Sequence, residues 1–160
     1  MPTTTLVPIR ADGVLDFIDK AARAVGGHEM GLTTYDIDSQ YSIKDKKISK
    51  IKFTLALTVK RAHWSGGNPD AANQKAIKEA EDLNHEHEEK HCKIAEDICD
   101  KAFKELEKSL VGKTAKDVTD AVAELKKQIA GKYSELDRRE GKTEVTQKAN
   151  GSFEVRQVGA

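Results

Sequence analysis

The chain has 160 residues, of which 34% are charged, and its 27 Lys and Arg balance its 27 Asp and Glu, so that the formal net charge is zero. This balance gives no electrostatic attraction to nucleic acid or to an anionic membrane. Aromatic residues make up only 5% of the chain, which argues against the stacking surfaces that bind single-stranded nucleic acid. We therefore expect no nucleic-acid or membrane partner. The length predicts one domain, residues 1–160, with a core of its own.

The N-terminal part of the chain carries no long apolar run, because Asp12, Asp16, Asp19 and Lys20 interrupt it. A secretory signal peptide and a transmembrane span are therefore not expected in the chain as given. The protein is then cytoplasmic, a mature form without its leader, or exported by a route that needs no leader. The sequence does not choose among these three.

The first half of the chain changes from a helical to an alternating pattern. Apolar residues with a helical period predict a helix over 13–25, capped by Asp12 and ended by the pair Gly26-Gly27. Residues 32–62 then alternate between apolar and polar side chains, as half-buried antiparallel strands do. With a polar turn at 44–47, this segment predicts a β-meander of two or three strands.

The second half predicts two longer helices. Asp70 begins a helix over 71–110, and Thr114 caps another over 115–137. Residues 141–160 form a polar segment punctuated by glycine, which we interpret as a short hairpin or an ordered tail. The fold class is therefore α+β, with a small antiparallel β-meander packed on the long helix and on a second, C-terminal helix.

The long helix contains His87-Glu88-Glu89-Lys90-His91, a His-Glu-x-x-His motif. Residues four apart lie on the same face of a helix, so both imidazoles can reach one ion. Zinc peptidases of the zincin type use this arrangement, with the two His as ligands and the Glu as general base towards a water. His87 and His91 are therefore candidate metal ligands, and Glu88 is the candidate catalytic base.

The helical wheel places both motif histidines on the inward face, with Glu88 at its edge and His85 towards solvent. The inward stripe consists of Ala80, Leu83, His87, His91, Ile94, Ala95, Ile98 and Ala102. Burying two imidazoles requires partners for four ring nitrogens, and a metal with further acceptors would supply them. Buried structural histidines are the alternative.

A zinc site with two His needs a third protein ligand. Glu96 is turned away from the histidines by about 140° on a straight helix, which excludes it. The end of the second long helix offers two carboxylates, Asp137 beside its inward stripe and Glu140 on it. Both remain candidates on the residues alone, and exposed carboxylates paired with Arg138 and Arg139 are the alternative for each.

The two cysteines of the chain, Cys92 and Cys99, are seven residues apart. On one helix this spacing puts their Cα atoms about 10 Å apart, too far for a disulfide. Metal-binding cysteine pairs are usually closer in sequence. We therefore expect both to be small apolar residues of the helix face.

The order of these segments resembles a bacterial family of predicted secreted zinc-dependent peptidases, a domain of unknown function. The resemblance runs from Thr33 to Thr146 and includes Tyr35-Asp36-Ile37, Ala62-His63-Trp64, the His-Glu-x-x-His helix and a last motif at the end of the second helix. That last motif is Tyr-Asp-x-x-Thr-x-His-Gly in the family. This chain departs from it, with Leu136-Asp137 for Tyr-Asp and Lys142-Thr143 for His-Gly. The resemblance implies Asp137 as the third ligand.

These observations lead to one functional hypothesis with named rivals. We expect a zincin-like peptidase in which His87, His91 and Asp137 bind Zn²⁺, Glu88 acts as general base, and the substrate is a peptide or protein. The main rival is a domain in which zinc only stabilises the structure and no hydrolysis occurs. A di-iron carboxylate protein, which needs a second Glu-x-x-His, and a metal-free helical interaction module are further rivals.

Overall fold

The structure, a computed structural model, describes residues 2–26 and 29–160. In these residues the chain forms five strands and three helices, which confirms the predicted α+β class at this level. In chain order they are β1 (Thr3–Arg10), α1 (Val14–Val25), β2 (Gly31–Lys44), β3 (Lys47–Gly66), α2 (Ala71–Ser109), α3 (Ala115–Glu140), β4 (Lys142–Gln147) and β5 (Phe153–Val158).

The main sheet has three strands in the order β1-β3-β2. β2 and β3 form a long antiparallel hairpin whose turn places Asp45 and Lys46 at φ 53° and 67°, as a two-residue hairpin turn requires. β1 pairs with β3 in parallel. The prediction of two or three antiparallel strands over 32–62 is therefore confirmed with two strands, whereas the sheet as a whole is mixed, because its third strand comes from the N-terminus. That segment, mostly exposed and interrupted by Pro8, carries no alternating pattern that marks it as a strand.

The start of α1 also differs from the prediction. Its N-cap residue is Gly13, which has no side chain that could cap the helix. Asp12, predicted as the cap, instead accepts a hydrogen bond from the backbone N–H of Asn68 at 2.6 Å. The first N–H of the helix, that of Val14, donates to the side-chain oxygen of Asn73 at 2.9 Å. The long-range bond from Val14 to Asn73 therefore replaces the local cap.

The C-terminal end of α1 and the starts of the two longer helices agree with the sequence patterns. Gly26 ends α1 in the left-handed region with φ 97°, whereas Gly27, predicted with it, lies outside the described residues. Asp70 caps α2 by accepting from the N–H of Asn73. Thr114 caps α3 with a complete capping box.

α3 continues to Glu140, beyond the predicted end at 137, because no residue before Gly141 interrupts the helical pattern. Asp137 and Glu140 therefore both project from one helix. The chain then forms the predicted hairpin, in which β4 pairs with β5 in antiparallel fashion. Beyond β5, the N–H of Ala160 donates to the carbonyl of Asp137 at 3.2 Å, which brings the last residue of the chain back to α3.

The buried residues of α2 change in character twice along the helix. An apolar group near its start packs with α1, and an apolar group in its second half packs with the β2–β3 hairpin and α3. Between them lies a buried polar stretch. The three groups are Ala76, Ile77 and Ala80; then Asn84, His87, Glu88 and His91; then Cys92, Ala95 and Cys99.

Cys92 and Cys99 are buried free thiols, as predicted. Among the described residues, none of the helices combines the length and the apolar character that crossing a membrane requires.

Candidate metal centre

Three polar side chains in the middle of α2 are almost fully withdrawn from solvent. His87 and Glu88 are each 1% exposed and His91 is 4% exposed. The prediction that both histidines face inward is confirmed. Glu88, predicted at the edge of the inward face, is buried as deeply as His87, because Thr33 and Gly31 of β2 cover it.

The ring nitrogens of the two histidines meet one carboxylate of α3. Nε2 of His87 and Nε2 of His91 are 3.1 Å apart. Oδ1 of Asp137 lies 3.0 Å from the first and 2.9 Å from the second. The structure therefore brings together the three side chains that were predicted as metal ligands, from two helices that are separated in sequence by a turn at 110–114.

This donor set fits a zinc ion. Two imidazole nitrogens and a carboxylate oxygen are ordinary zinc ligands, and a tetrahedral site with bonds of about 2.0–2.1 Å has edges of about 3.3 Å between its donors. The three observed separations, 2.9 to 3.1 Å, are slightly shorter than such edges. Small outward movements of the side chains are therefore enough to accommodate an ion.

Glu140, the competing candidate for the third ligand, lies on the other side of the His87 ring. Its Oε1 is 3.4 Å from Nδ1 of His87 and 2.8 Å from Nζ of Lys90. Burial acts to raise the pKa of this carboxyl, but the hydrogen bonds from Lys90 and His87 outweigh it and lower the pKa. Glu140 is thus placed to orient His87 through the ring nitrogen that faces away from Asp137.

A third carboxylate beside the histidines comes from outside the predicted elements. Oε2 of Glu29 is 3.4 Å from Nε2 of His87. Glu29, His87, Glu88 and His91 each offer one potential ligand atom, and these atoms lie within 4.8 Å of one another. Asp137 lies closer to His87 Nε2 than Glu29 does, so we take Asp137 as the third donor and Glu29 as a further one.

Sequence reasoning missed Glu29, which belongs to no motif. It is a single acidic residue between the end of α1 and the start of β2, and its distance from the histidine motif is 58 residues. The only signal nearby is that glycines flank it on both sides, at 26, 27 and 31. Such glycines are compatible with any tight loop.

Glu88 combines deep burial with incomplete hydrogen bonding. Its Oε2 accepts a hydrogen bond from the hydroxyl of Thr33. Its Oε1 is buried and has no partner among the described residues. Burial raises the pKa of this carboxyl to about 7. A carboxylate with a free oxygen and a pKa near neutrality is suited to exchange protons with a reacting group.

The carboxylates around the site favour a positive charge at His87 but not at His91. Burial alone would lower the pKa of His87, but the hydrogen bond to Glu29 and the charge of Glu88 outweigh it and raise the pKa to about 9. At His91, burial dominates and lowers the pKa. At neutral pH His87 therefore carries a proton and His91 does not. A metal cation bound by the histidines would interact favourably with the same carboxylates.

A cavity of about 280 Å³ opens beside these groups. Its wall includes Glu29, Thr33, Glu88, His91, Tyr133 and Asp137, together with Gly26, Gly31, Leu32 and Ala160. The ring of Tyr133 packs against that of His91 with centroids 4.3 Å apart. A larger groove of about 480 Å³ lies farther along α2 and α3, from Asp97 to Gln128, and its wall includes none of these donors. We therefore place the site in the smaller cavity.

The other histidines of the described chain lie away from the donors. His85 is half-exposed and pairs with Glu89 at 3.0 Å, consistent with its predicted outward position. His63, also half-exposed, lies 3.6 Å from Glu81.

Comparison with known proteins identifies the family of the chain. No curated protein and no solved structure matches the chain. Residues 10–144 match the profile of a family described as bacterial protein of unknown function, DUF922. The bacterial family expected from the motifs is confirmed, while its zinc, peptidase and secretion features stay predictions for this chain. Because the match covers most of the sequence, the chain belongs to the DUF922 family.

Proposed function

We propose that this protein is a zinc-dependent peptidase of zincin-like architecture. The observation that carries the proposal is the meeting of His87 Nε2, His91 Nε2 and Asp137 Oδ1 within 3.1 Å. Glu88, next to His87 in the chain, borders the same cavity. Two of the proposed ligands, His91 and Asp137, therefore border the same cavity as the proposed base, which a purely structural histidine pair does not require.

In this proposal Glu88 moves the proton. A zinc ion held by the two histidines and Asp137 would supply a Lewis acid that lowers the pKa of a water towards 7. Glu88 accepts a proton from the attacking water and delivers it to the leaving amine. Without an ion, burial raises the pKa of Glu88 to about 7, and a bound cation would lower it towards the carboxylate form that accepts the proton. Thr33 holds one carboxylate oxygen in place and leaves the other for the proton.

A peptide substrate has a backbone partner at the mouth of the cavity. Gly31, Leu32 and Thr33, the first residues of β2, form part of its wall. Within the described chain β2 pairs only with β3, so its other side can bind an extended peptide as an added strand. In this proposal the peptide backbone would then lie along the start of β2, next to the cavity that His91 lines.

A second function, a zinc site that only stabilises the fold, is favoured by Glu29. Its carboxylate lies 3.4 Å from His87 Nε2, within reach of a fourth coordination position. Four protein ligands close a zinc site and leave no place for a reacting water. Both functions predict bound zinc, but only the peptidase predicts hydrolysis.

Metal analysis combined with two substitutions tests the proposal. We expect near-stoichiometric zinc in the natural protein and in Glu88→Gln, and its loss in His91→Ala. Peptide hydrolysis, measured on a mixed peptide library, should fall at least about 100-fold in both variants, because each removes a group that the reaction needs. Glu89→Gln, an exposed neighbour on the same helix, is the matched control and should keep both properties.

Three results would contradict the proposal. Absence of bound zinc after reconstitution would remove the metal site altogether. Full hydrolysis by Glu88→Gln would show that Glu88 is not the base. Stoichiometric zinc without any hydrolysis would favour the structural function instead.

A further inference from the structure

One donor of the metal centre stands on a different kind of element from the others. His87 and His91 project from α2, and Asp137 projects from α3, two helices of 39 and 26 residues. Glu29 lies in the segment between α1 and β2, outside any helix or strand. A residue outside helices and strands is held in place by fewer backbone hydrogen bonds than a residue within a long helix. Glu29 is therefore the donor that can leave the site at least cost.

Glu29 lies within reach of a fourth coordination position beside His87. Its Oε2 is 3.4 Å from His87 Nε2, close to the donor–donor edge of about 3.3 Å in a tetrahedral zinc site. The side chain is 22% exposed, so one side of the carboxylate faces the histidines and the other reaches the cavity. A catalytic zinc site keeps its fourth coordination position for water.

Gly141 provides the space that this carboxylate occupies. The backbone of Gly141, with φ −76° and ψ −8°, has a conformation that any residue adopts, so glycine is not needed for the turn itself. A Cβ at this position would lie 2.8 Å from Oε1 of Glu29 and 2.6 Å from the carbonyl oxygen of Asp137. The missing side chain therefore allows Glu29 to approach the end of α3.

We propose that Glu29 is a fourth, displaceable protein ligand, which closes the metal centre in the resting protein and leaves when substrate enters. The inference rests on the proposed zinc site and adds a regulatory element to it. The adjoining cavity of about 280 Å³ gives the carboxylate room to swing aside. The same residue thus strengthens metal binding and restrains the reaction.

These two effects separate Glu29 from a residue that only supports the fold. Removing it should weaken metal binding and, at the same time, open a coordination position to outside ligands. A residue that acts only through packing or charge would not expose a coordination position to a neutral ligand. Imidazole is a suitable probe, because loss of a nearby negative charge does not by itself strengthen the binding of a neutral molecule.

The experiment compares imidazole binding to the Co²⁺-loaded proteins. The absorption spectrum of Co²⁺ is recorded during imidazole titration of the natural protein, Glu29→Ala and the exposed control Glu89→Ala. If Glu29 occupies the fourth position in more than nine molecules of ten, Glu29→Ala should bind imidazole about tenfold more tightly or better than the natural protein. Glu89→Ala should match the natural protein. Peptide hydrolysis is measured on the same samples and should rise in Glu29→Ala.

The outcomes distinguish this inference from the proposed peptidase. Equal imidazole affinity in the natural protein and Glu29→Ala overturns the role of Glu29, and leaves the peptidase proposal standing if hydrolysis depends on Glu88. The expected gain in imidazole affinity without hydrolysis in either protein supports Glu29 as a ligand and contradicts the peptidase. If Glu29→Ala loses Co²⁺ altogether, Glu29→Gln replaces it, and imidazole affinity equal to the natural protein then overturns the inference. Failure of the natural protein to bind Co²⁺ contradicts both.

Discussion

Gly31 lies directly against Glu88: a Cβ added to Gly31 would be 2.8 Å from Cγ of Glu88. The same Cβ would be 2.9 Å from both terminal atoms of the Asn84 side chain. The start of β2 can approach the polar stretch of α2 because position 31 has no side chain. This close approach also carries Thr33 to its hydrogen bond with Glu88.

Substitution of Gly31 by Ala should therefore destabilise the protein and displace Glu88. Overpacking of a buried contact costs about 1–3 kcal/mol in the free energy of unfolding, which urea denaturation measures. Gly131→Ala is the matched control, because Gly131 lies exposed in α3 with no atom within 4 Å of its added Cβ. There the same change should stabilise the helix by up to about 1 kcal/mol. Equal effects at the two positions would show that the contact with Glu88 is unimportant.

Glu140→Gln should weaken zinc binding without removing a zinc ligand. The carboxylate accepts from Lys90 and faces Nδ1 of His87, so its loss frees the His87 ring to rotate. Loss of such orienting partners typically costs about 10–100-fold in metal affinity. Competition with a chelator measures the zinc dissociation constant, with Glu144→Gln on the exposed hairpin as control. Unchanged affinity in Glu140→Gln would contradict the orienting role.

Zinc binding should release a proton from His87. Without an ion the pKa of His87 is raised to about 9, so the ring is mostly protonated at pH 8, whereas the lowered pKa of His91 leaves that ring neutral. Zinc requires both ring nitrogens unprotonated. At pH 8, above the pKa of Glu88, about one proton should therefore be released per zinc bound, and apparent affinity should fall as the pH decreases. Calorimetry in buffers of different ionisation enthalpy counts the protons, and a count of zero would refute the prediction.

Tyr133→Phe should separate stability from activity. The hydroxyl of Tyr133 is buried and has no hydrogen-bond partner among the described residues, and its ring packs on His91. Removing an unpaired hydroxyl should not lower the free energy of unfolding, because the buried group already lacks a compensating bond. If this hydroxyl stabilises the oxyanion during hydrolysis, kcat should fall about 100-fold while stability is kept. A variant with unchanged kcat would assign Tyr133 to packing alone.

Local patterns predicted the parts of the fold that local interactions determine. Asp70 and Thr114 cap helices through bonds to residues three positions later, and the spacing of His87 and His91 fixes their common face. Asp137 required the family resemblance, because the residues alone left it level with Glu140. The packing of α3 on α2 gives the physical difference between the two, by placing Asp137 at Nε2 and Glu140 at Nδ1 of the same ring.

The parts that were missed depend on contacts between distant residues. β1 pairs with β3 in a register that joins Thr3 to Thr58, and nothing in the local pattern of Thr3–Arg10 indicates that pairing. Asp12 had the right residue type for a helix cap, but the N–H of Asn68 competes for its carboxylate. Glu29 reaches His87 only after α1 and β2 have packed against α2.

The bond between Ala160 and the carbonyl of Asp137 has a practical consequence for how the protein is produced. Ala160 forms part of the wall of the cavity, so any residues joined after it begin at the rim of the metal centre. A polyhistidine tag in that place would bring additional imidazoles to the proposed metal centre. Purification by an N-terminal tag that is then cleaved adds no foreign residues to the cavity.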